Sequence, residues 1–395
     1  MTQKKYSFFI IIVLCLLISS SHLATTAKPI ENNTHESKDS HLPQNHIDVF
    51  MKMLMRISRV PSVSACVIKD ENITWLKAYG YYNIEEKKQA TDTTIYNIAS
   101  ISKPITATAL LQLYEQGLFD LDDDINSYLP FTVIHPDYPE TPITFRMILA
   151  HQSGLSEDPL QFYRYFPAEQ CPVPLYPWIQ TYLNPDGANY TDNIWSSDEP
   201  GHTFHYANVG YALIGYLVER ISGQPFHQYC QDHIFDPLDM NNSSYLLKDL
   251  DLTRVAMPYQ HVLNIHIPCG HHCYIGYPCG SVHTSVKELA HFIIAHMNAG
   301  TYNKYQLLNA STVSQMHTIQ YPNEQYGLGW FIKNNSKIGY QYGHTGGDKG
   351  ITTNVVIQEK ENTAIIYFTN GRPRGPIQTA AWILFQHVLF STAAS

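Results

Sequence analysis

Residues 97–112 read NIASISKPITATALLQ, a run that puts two serines and a lysine just ahead of an apolar, helix-like segment. Ile105, Ala109 and Leu113 recur every fourth residue, and Gly117 supplies a stop. Ser100 therefore stands where a helix begins, and Lys103, three residues on, shares its face. An amine that close can take the serine proton once its own affinity for protons is lowered, which makes Ser100 a nucleophile for acyl transfer. The start of a helix also favours negative charge near Ser100. A serine three before a lysine arises about once by chance in a chain of ordinary composition, so the pair needs support from elsewhere.

Working outward, the segment Ile47 to Ile57 has the spacing of a leading helix. Pro61 to Lys69 and Ile73 to Tyr82 alternate like two strands, with Asp70-Glu71-Asn72 as their turn. From there to about Gln260 the pattern is helices and polar connections, such as Pro167 to Pro200. The clearest helix runs from Val209 to Ile221, with Gly223 as its cap. The last hundred residues return to strands at Gly327 to Lys333, Ile338 to Gly343, Ile351 to Gln358 and Thr363 to Thr369, and close with a helix from Pro376 to Phe390. Strands at both ends and helices between them predict an α+β fold: one antiparallel sheet built from both termini, with flanking helices and a mainly helical insertion. The expected organisation is a signal peptide over 1–27, a flexible segment over 28–44 and one domain over 45–395. Within that domain 45–104 and 285–395 form the α/β part and 105–284 the insertion.

At 395 residues with 44% hydrophobic side chains, the chain can build a large core, which argues against disorder over most of its length. Lys4 and Lys5, the apolar run Phe8 to Ile18 and the small residues ending at Ala27 read as an export signal cleaved near Ala27, with an uncleaved anchor as the alternative. The reading is a secreted, periplasmic or extracellular protein with no stable membrane span after cleavage. A formal charge of −9 without a basic cluster argues against nucleic acid as a partner. Outside the signal, Cys66, Cys171, Cys230, Cys269, Cys273 and Cys279 make an even set for which disulfides are expected, in no readable pairing. N-x-S/T sequons at Asn32, Asn72, Asn189, Asn241, Asn242, Asn309 and Asn334 suit a glycosylated secretory protein.

Two further motifs support Ser100 and Lys103. Tyr206-Ala207-Asn208 opens the Val209 helix after Pro200-Gly201, where a phenol can join a proton relay and an amide can hold a substrate. Tyr81-Tyr82-Asn83 has the same pattern but lies within a strand. Gly343-His344-Thr345-Gly346-Gly347 closes a strand, with glycines that let a ligand or another backbone approach closely.

In this order, 106 and 138 residues apart, the three motifs resemble the serine beta-lactamase and penicillin-binding DD-peptidase superfamily, nearest its class C beta-lactamase and esterase-like branch. The segments ITFRMILAHQSGL (143–155), PGHTFHYANVGYALIGYLVERISG (200–223), PLDM (237–240), YGLGW (326–330) and YGHTGGDKG (342–350) resemble the family's in the family's order. The resemblance implies Ser100 as the acylated nucleophile, Lys103 as its proton partner and Tyr206 as general base or acid. It implies Asn208, His344, Thr345 and Gly346 as substrate-binding residues, and the backbone N–H groups of Ser100 and Gly347 as the oxyanion hole. Many relatives carry lysine where His344 stands; a neutral imidazole attracts a substrate carboxylate less, which weakens the expectation of beta-lactam hydrolysis.

Ser102 matches no catalytic position and reads as a polar residue of the first helical turn. His151 reads as a structural histidine in a turn. The stretch CGHHCYIGYPCG (269–280) holds zinc-ligand residue types, but its short spacings favour disulfides, so no metal and no cofactor is expected. The tyrosines between Tyr163 and Tyr190 fit either a cleft lining or a loop-rich surface. The function expected is a secreted serine hydrolase acting through a Ser100 acyl-enzyme on D-amino-acid peptides, small esters or beta-lactams. The alternatives are a penicillin-binding-like protein with little turnover and a self-assembling structural relative.

Overall fold

The computed structural model describes residues 44–157, 162, 165–167, 174–322, 324–336, 338–373 and 375–393. The expected export signal, nearly all of the 28–44 segment and Cys171 lie outside them.

Seven strands form one antiparallel sheet: β1 (Ser62–Lys69), β2 (Asn72–Asn83), β3 (Lys88–Gln89), β4 (Phe331–Asn335), β5 (Gly339–Asp348), β6 (Ile351–Gln358) and β7 (Thr363–Thr369). Their spatial order is β4-β5-β6-β7-β1-β2-β3. The N-terminal and C-terminal strands meet where β1 pairs with β7, with Cys66 opposite Ile366. Between β1 and β2 the chain reverses through Asp70 and Glu71, both at positive φ (48° and 62°), the conformation that the right-handed twist of a two-residue hairpin requires.

The centre of the sheet is covered on both faces, which is why β1 is buried at almost every position instead of alternating with solvent. Val63, Ala65 and Val67 point to one side, into a cluster with Phe50 and Leu54 of helix α1 (Gln44–Ser58) and Trp382 and Phe385 of the closing helix. Cys66 and Ile68 point to the other side, into the main core. Side chains of this size contribute roughly 1.5–3 kcal/mol each when fully buried.

The second element of the main core is helix α2 (Ser102–Glu115), and here the structure differs from the one-sided periodicity read in the sequence. Every residue from Ser102 to Leu113 is buried, so the helix is surrounded and not amphipathic. Its polar residues are tolerated because each finds a partner: Thr106 donates to the Pro278 carbonyl at 2.6 Å and Thr108 to that of Pro104 at 2.9 Å, while Gln112 donates to the His233 and Leu307 carbonyls, both at 3.1 Å. Helix α3 (Asn208–Ser222) packs beside it and ends at Gly223, whose φ of 73° and N–H to the Glu219 carbonyl make the expected left-handed cap.

Other differences concern the glycine-rich strand and the cysteines. Strand β5 does not stop at Gly343 but continues to Asp348, paired with β6 throughout from Gln341. Gly346 permits this: a Cβ there would stand 2.1 Å from Thr353 Oγ1 and 2.3 Å from the Ile98 carbonyl oxygen. The glycine thus lets a second backbone approach, and that backbone is the turn carrying Ser100. Cys66, Cys230, Cys269 and Cys279 are free thiols, so these four take no part in the expected disulfides. Cys66 and Cys230 are sealed in the core, where burial pushes both thiols up. Cys273 is disulfide-bonded. Two short ladders join the loops over the site: Tyr165–Pro167 pairs with His272–Tyr274, and Tyr259–Val262 with Ile265–Pro268. Among the described residues no helix is long and apolar enough to cross a membrane, and no cluster of three or more metal-ligating side chains occurs.

Candidate active site

Ser100 sits in a single 3₁₀ turn, Ala99–Ile101, immediately before α2. Ala99 is held at φ 47°, a region costly for a residue with a Cβ, and Asn97 Oδ1 stabilises it by accepting the Ala99 N–H at 2.7 Å. Ser102 is fully buried and pins the turn. Its hydroxyl donates to the Ala99 carbonyl at 2.7 Å and accepts the Val282 N–H at 3.0 Å, so it is a structural clasp and not an ordinary first-turn polar residue.

Lys103 is entirely buried, and its Nζ has three oxygen partners: Ser100 Oγ at 3.0 Å, Asn208 Oδ1 at 2.6 Å and the Cys279 carbonyl at 2.9 Å. Three acceptors match its three N–H donors. The Tyr206 ring lies over the same nitrogen, 4.9 Å from ring centroid to Nζ, and the Tyr211 ring at 5.6 Å. Tyr206 is 36% exposed, and its phenol oxygen makes no hydrogen bond to Ser100 or Lys103. The structure brings Tyr206 to the relay by its ring face.

Asn208, expected to hold a substrate amide, lines the cleft and is also held by the protein at both ends of its own amide. While its oxygen accepts from Lys103, its Nδ2 donates to Glu157 Oε1 at 2.6 Å, and the backbone N–H groups of Asn208 and Val209 both point at Glu157 Oε2. Glu157 thus caps α3 with a carboxylate where the helix dipole favours one. The sequence reading missed Glu157; the QSGLSE stretch around it carries no spacing that distinguishes this carboxylate from an exposed one. The Cys279 carbonyl was equally invisible, being backbone.

His344 also departs from the reading. It is 2% exposed, and both ring nitrogens are engaged: Nδ1 donates to the Thr345 carbonyl at 2.8 Å, and Nε2 faces Tyr326 Oη at 3.3 Å. The tautomer follows from the carbonyl, which can only accept. Burial, then the charge of Lys103, pushes His344 down to about 3, so the imidazole is neutral at pH 7 and turned into the wall. Thr345 is exposed, whereas Gly346 is buried against Ile98. Gly347 has nothing within 4 Å of where its Cβ would be and lines, with Ser100 and Asn208, a cleft of about 260 Å³.

His151 is a structural residue of the site itself. Its Nδ1 accepts the Ala207 N–H at 3.2 Å, and its ring lies 4.4 Å from that of Tyr206 and 4.9 Å from that of Tyr326. Burial, then the charges of Lys103 and His344, holds it well below the ordinary histidine range and therefore neutral. The tyrosines of the insertion divide: Tyr182 is core, whereas Tyr165 lines the cleft.

The family model described as Beta-lactamase matches residues 45–388. This chain belongs to the Beta-lactamase family. Protein flp of Staphylococcus aureus (strain MW2) is 25% identical over 333 residues, which cover 83% of this chain and 63% of that protein. The chain therefore spans less than two thirds of the length of that curated relative. Penicillin-binding protein 4* of Bacillus subtilis (strain 168) is 24% identical over 337 residues, or 81% of this chain and 70% of that protein. Among solved structures, the octameric penicillin-binding protein homologue from Pyrococcus abyssi superposes with a TM-score of 0.69 at 25% identity, over 88% of this chain and 78% of that one. The D-amino acid amidase from Ochrobactrum anthropi SV3, complexed with L-phenylalanine amide, shares the fold with a TM-score of 0.67 at 20% identity, over 89% and 99% of the two chains. The beta-lactamase-like α+β fold and the superfamily expected from the motifs are thereby both found.

Proposed function

We propose that this protein is a secreted serine hydrolase that forms an acyl-enzyme on Ser100, with peptides ending in D-amino acids, small esters or amides as substrates. One observation carries the reading: Lys103 Nζ lies 3.0 Å from Ser100 Oγ in a fully buried seat made by Asn208 and the Cys279 carbonyl. In its amine form Lys103 can accept the serine proton across that distance, and the two oxygens then hold the ammonium that results. Ser100 Oγ bonds to the substrate carbonyl carbon, and the leaving group departs with the proton relayed past Tyr206. Water then adds to the ester, releasing the acid and restoring the serine hydroxyl. The N–H groups of Ser100 and Gly347, at the edge of one cleft, are the proposed donors to the oxyanion. The amidase and penicillin-binding names among the relatives support amide and peptide substrates for this chain.

The test is intact-mass spectrometry of wild type and Ser100→Ala after incubation with benzylpenicillin, a fluorophosphonate and a D-alanyl-D-alanine peptide thioester. An adduct or turnover present only in wild type supports the reading, and the probe that responds identifies lactam, ester or peptide chemistry. If both proteins stay unmodified with every probe, the hydrolase reading falls and a binding role replaces it. Export through the segment ending at Ala27 belongs to the same proposal and is checked by the amino-terminal residue of the protein recovered from the producing cells.

A further inference from the structure

Behind the helix that follows Ser100, three aromatic side chains meet, each with a nitrogen that has no partner. The rings of His296, His317 and Trp330 lie 5.1–5.4 Å apart, centroid to centroid. His296 Nδ1, His317 Nε2 and Trp330 Nε1 are closed to solvent and make no hydrogen bond within the protein. Buried polar atoms are nearly always satisfied, so three orphans in one cluster point to an occupant. His296 is 3% exposed and lines, with His317, a cavity of about 520 Å³. Among the described residues, none that lines this cavity also lines the Ser100 cleft.

Thr108 of α2 sets the proton on His296. Its hydroxyl has one proton and gives it to the Pro104 carbonyl at 2.9 Å, so in the long 3.5 Å contact His296 Nε2 donates and Thr108 Oγ1 accepts. Nδ1 is then the bare nitrogen of the imidazole, a lone pair without a proton to accept.

The spacing of the two histidines fits a metal ion. Two imidazole nitrogens held at about 2.0–2.1 Å on a tetrahedral ion put their ring centroids about 5.2 Å apart. The His296 and His317 centroids are 5.4 Å apart. The surroundings fit a cation. His296 lies in the last turn of the helix Val286–Met297, and His317 caps the end of the helix Ala310–Met316, so the negative ends of two helices meet at the pair. On the cavity wall Glu359 accepts the Tyr342 hydroxyl, and the Tyr342 ring stacks on that of His317 at 4.3 Å, which brings a carboxylate to the border of the site. The facing pair His261 and His266, 4.9 Å apart, has a different setting: His261 shares its cavity with Arg59 and Arg372, whose charges oppose a cation.

We propose that His296 Nδ1 and His317 Nε2 are two ligands of a divalent transition-metal site of the zinc, nickel or cobalt class. The remaining positions are open to water or to a small donor from the cavity, and the Trp330 N–H is available to a water bound there. Two protein nitrogens make an open site, consistent with the absence of any cluster of three metal-ligating side chains among the described residues. Bound there, the ion ties the two helix ends together behind α2, whatever chemistry Ser100 performs.

The test is calorimetric titration of the metal-free protein at neutral pH. Zinc chloride should bind at the site with a dissociation constant of about micromolar or tighter, and magnesium chloride should not, because magnesium prefers oxygen ligands. His296→Gln and His317→Gln should each weaken zinc binding by about tenfold or more and together remove one equivalent, while His261→Gln with His266→Gln leaves that equivalent in place. Cobalt chloride gives a second readout on the unaltered protein. Bound Co²⁺ should quench the fluorescence of Trp330, which touches both histidine rings, and the quenched component should be missing in Trp330→Phe. No zinc bound, an equivalent that survives the double variant or disappears with His261 and His266 instead, or Trp330 fluorescence indifferent to cobalt would each overturn the site and leave water as the partner of the three nitrogens.

Discussion

Two lysines serve one cleft in opposite ways. Lys103 is fully buried, with three oxygen partners within 3.0 Å, whereas Lys349 is exposed and rests on a tyrosine ring. Beneath Ser100 the arrangement is closed: Asn208 is engaged at both ends, Glu157 is tied to the start of α3, and Ala99 is held in a strained turn. At the rim, Tyr206, Thr345, Lys349 and Arg372 offer groups to solvent. The difference teaches how the labour is divided. The groups proposed to move a proton are preorganised in a dry floor where reorganisation is small, and the rim groups stay open to solvent.

The comparison breaks most sharply at Lys103. Replacing it by methionine keeps the volume but removes the amine at 3.0 Å from Ser100, so fluorophosphonate labelling should slow by about 10³-fold, within the usual range for general base loss. A rate within tenfold of wild type would assign the proton to another group. Glu157→Gln tests the next layer. It weakens a set of charge-assisted hydrogen bonds worth about 1.5–3 kcal/mol each, and labelling should fall by about 10- to 100-fold with the cleft rim untouched.

Neighbouring glycines sharpen the same contrast in stability. Gly346→Ala forces a Cβ into Thr353 and the Ile98 carbonyl, behind Ser100, and should lower the urea-unfolding free energy by about 1–3 kcal/mol. The buried histidines give an effect spread over pH. His283, His317 and His344 are each pushed down to about 3 by burial, against 6.5 for a free histidine. Between those values the unfolded chain binds protons that the folded chain does not. Their contribution to stability is therefore complete above about pH 6.5 and is lost as pH falls towards 3. The urea midpoint should fall between pH 7 and pH 4.5, and His317→Gln should show a shallower fall than wild type. The smallest effect belongs to Gly347→Ala, where the added methyl meets open space; its stability should move by no more than about 0.5–1 kcal/mol, the ordinary backbone difference between the two residues.

Much of the frame was legible in the chain. The hairpin turn at Asp70-Glu71, the Gly223 cap and the returning strands all rest on local rules, and local rules survive in sequence. The boundary of β5 was misread because glycines ordinarily weaken strands, whereas here Gly346 is required by a backbone 248 residues earlier in the chain, at Ile98. The one-sided reading of α2 failed for a related reason: Thr106 and Gln112 look solvent-facing until the distant carbonyls that accept their protons are in place.

Ser100, Lys103, Tyr206 and the 344–347 motif were singled out from residue types, their order and a family resemblance, since a hydroxyl, an amine, a phenol and a glycine-rich strand are chemical identities that a sequence states directly. What only the tertiary structure decided is how they are used. That His344 is neutral and faces inward, that Asn208 serves Lys103, that Glu157 and the Cys279 carbonyl complete the floor and that Lys349 and Arg372 share a rim are all consequences of burial and distance. Desolvation, hydrogen-bond partners and charge separation belong to a neighbourhood, and that neighbourhood is assembled from segments far apart in the chain.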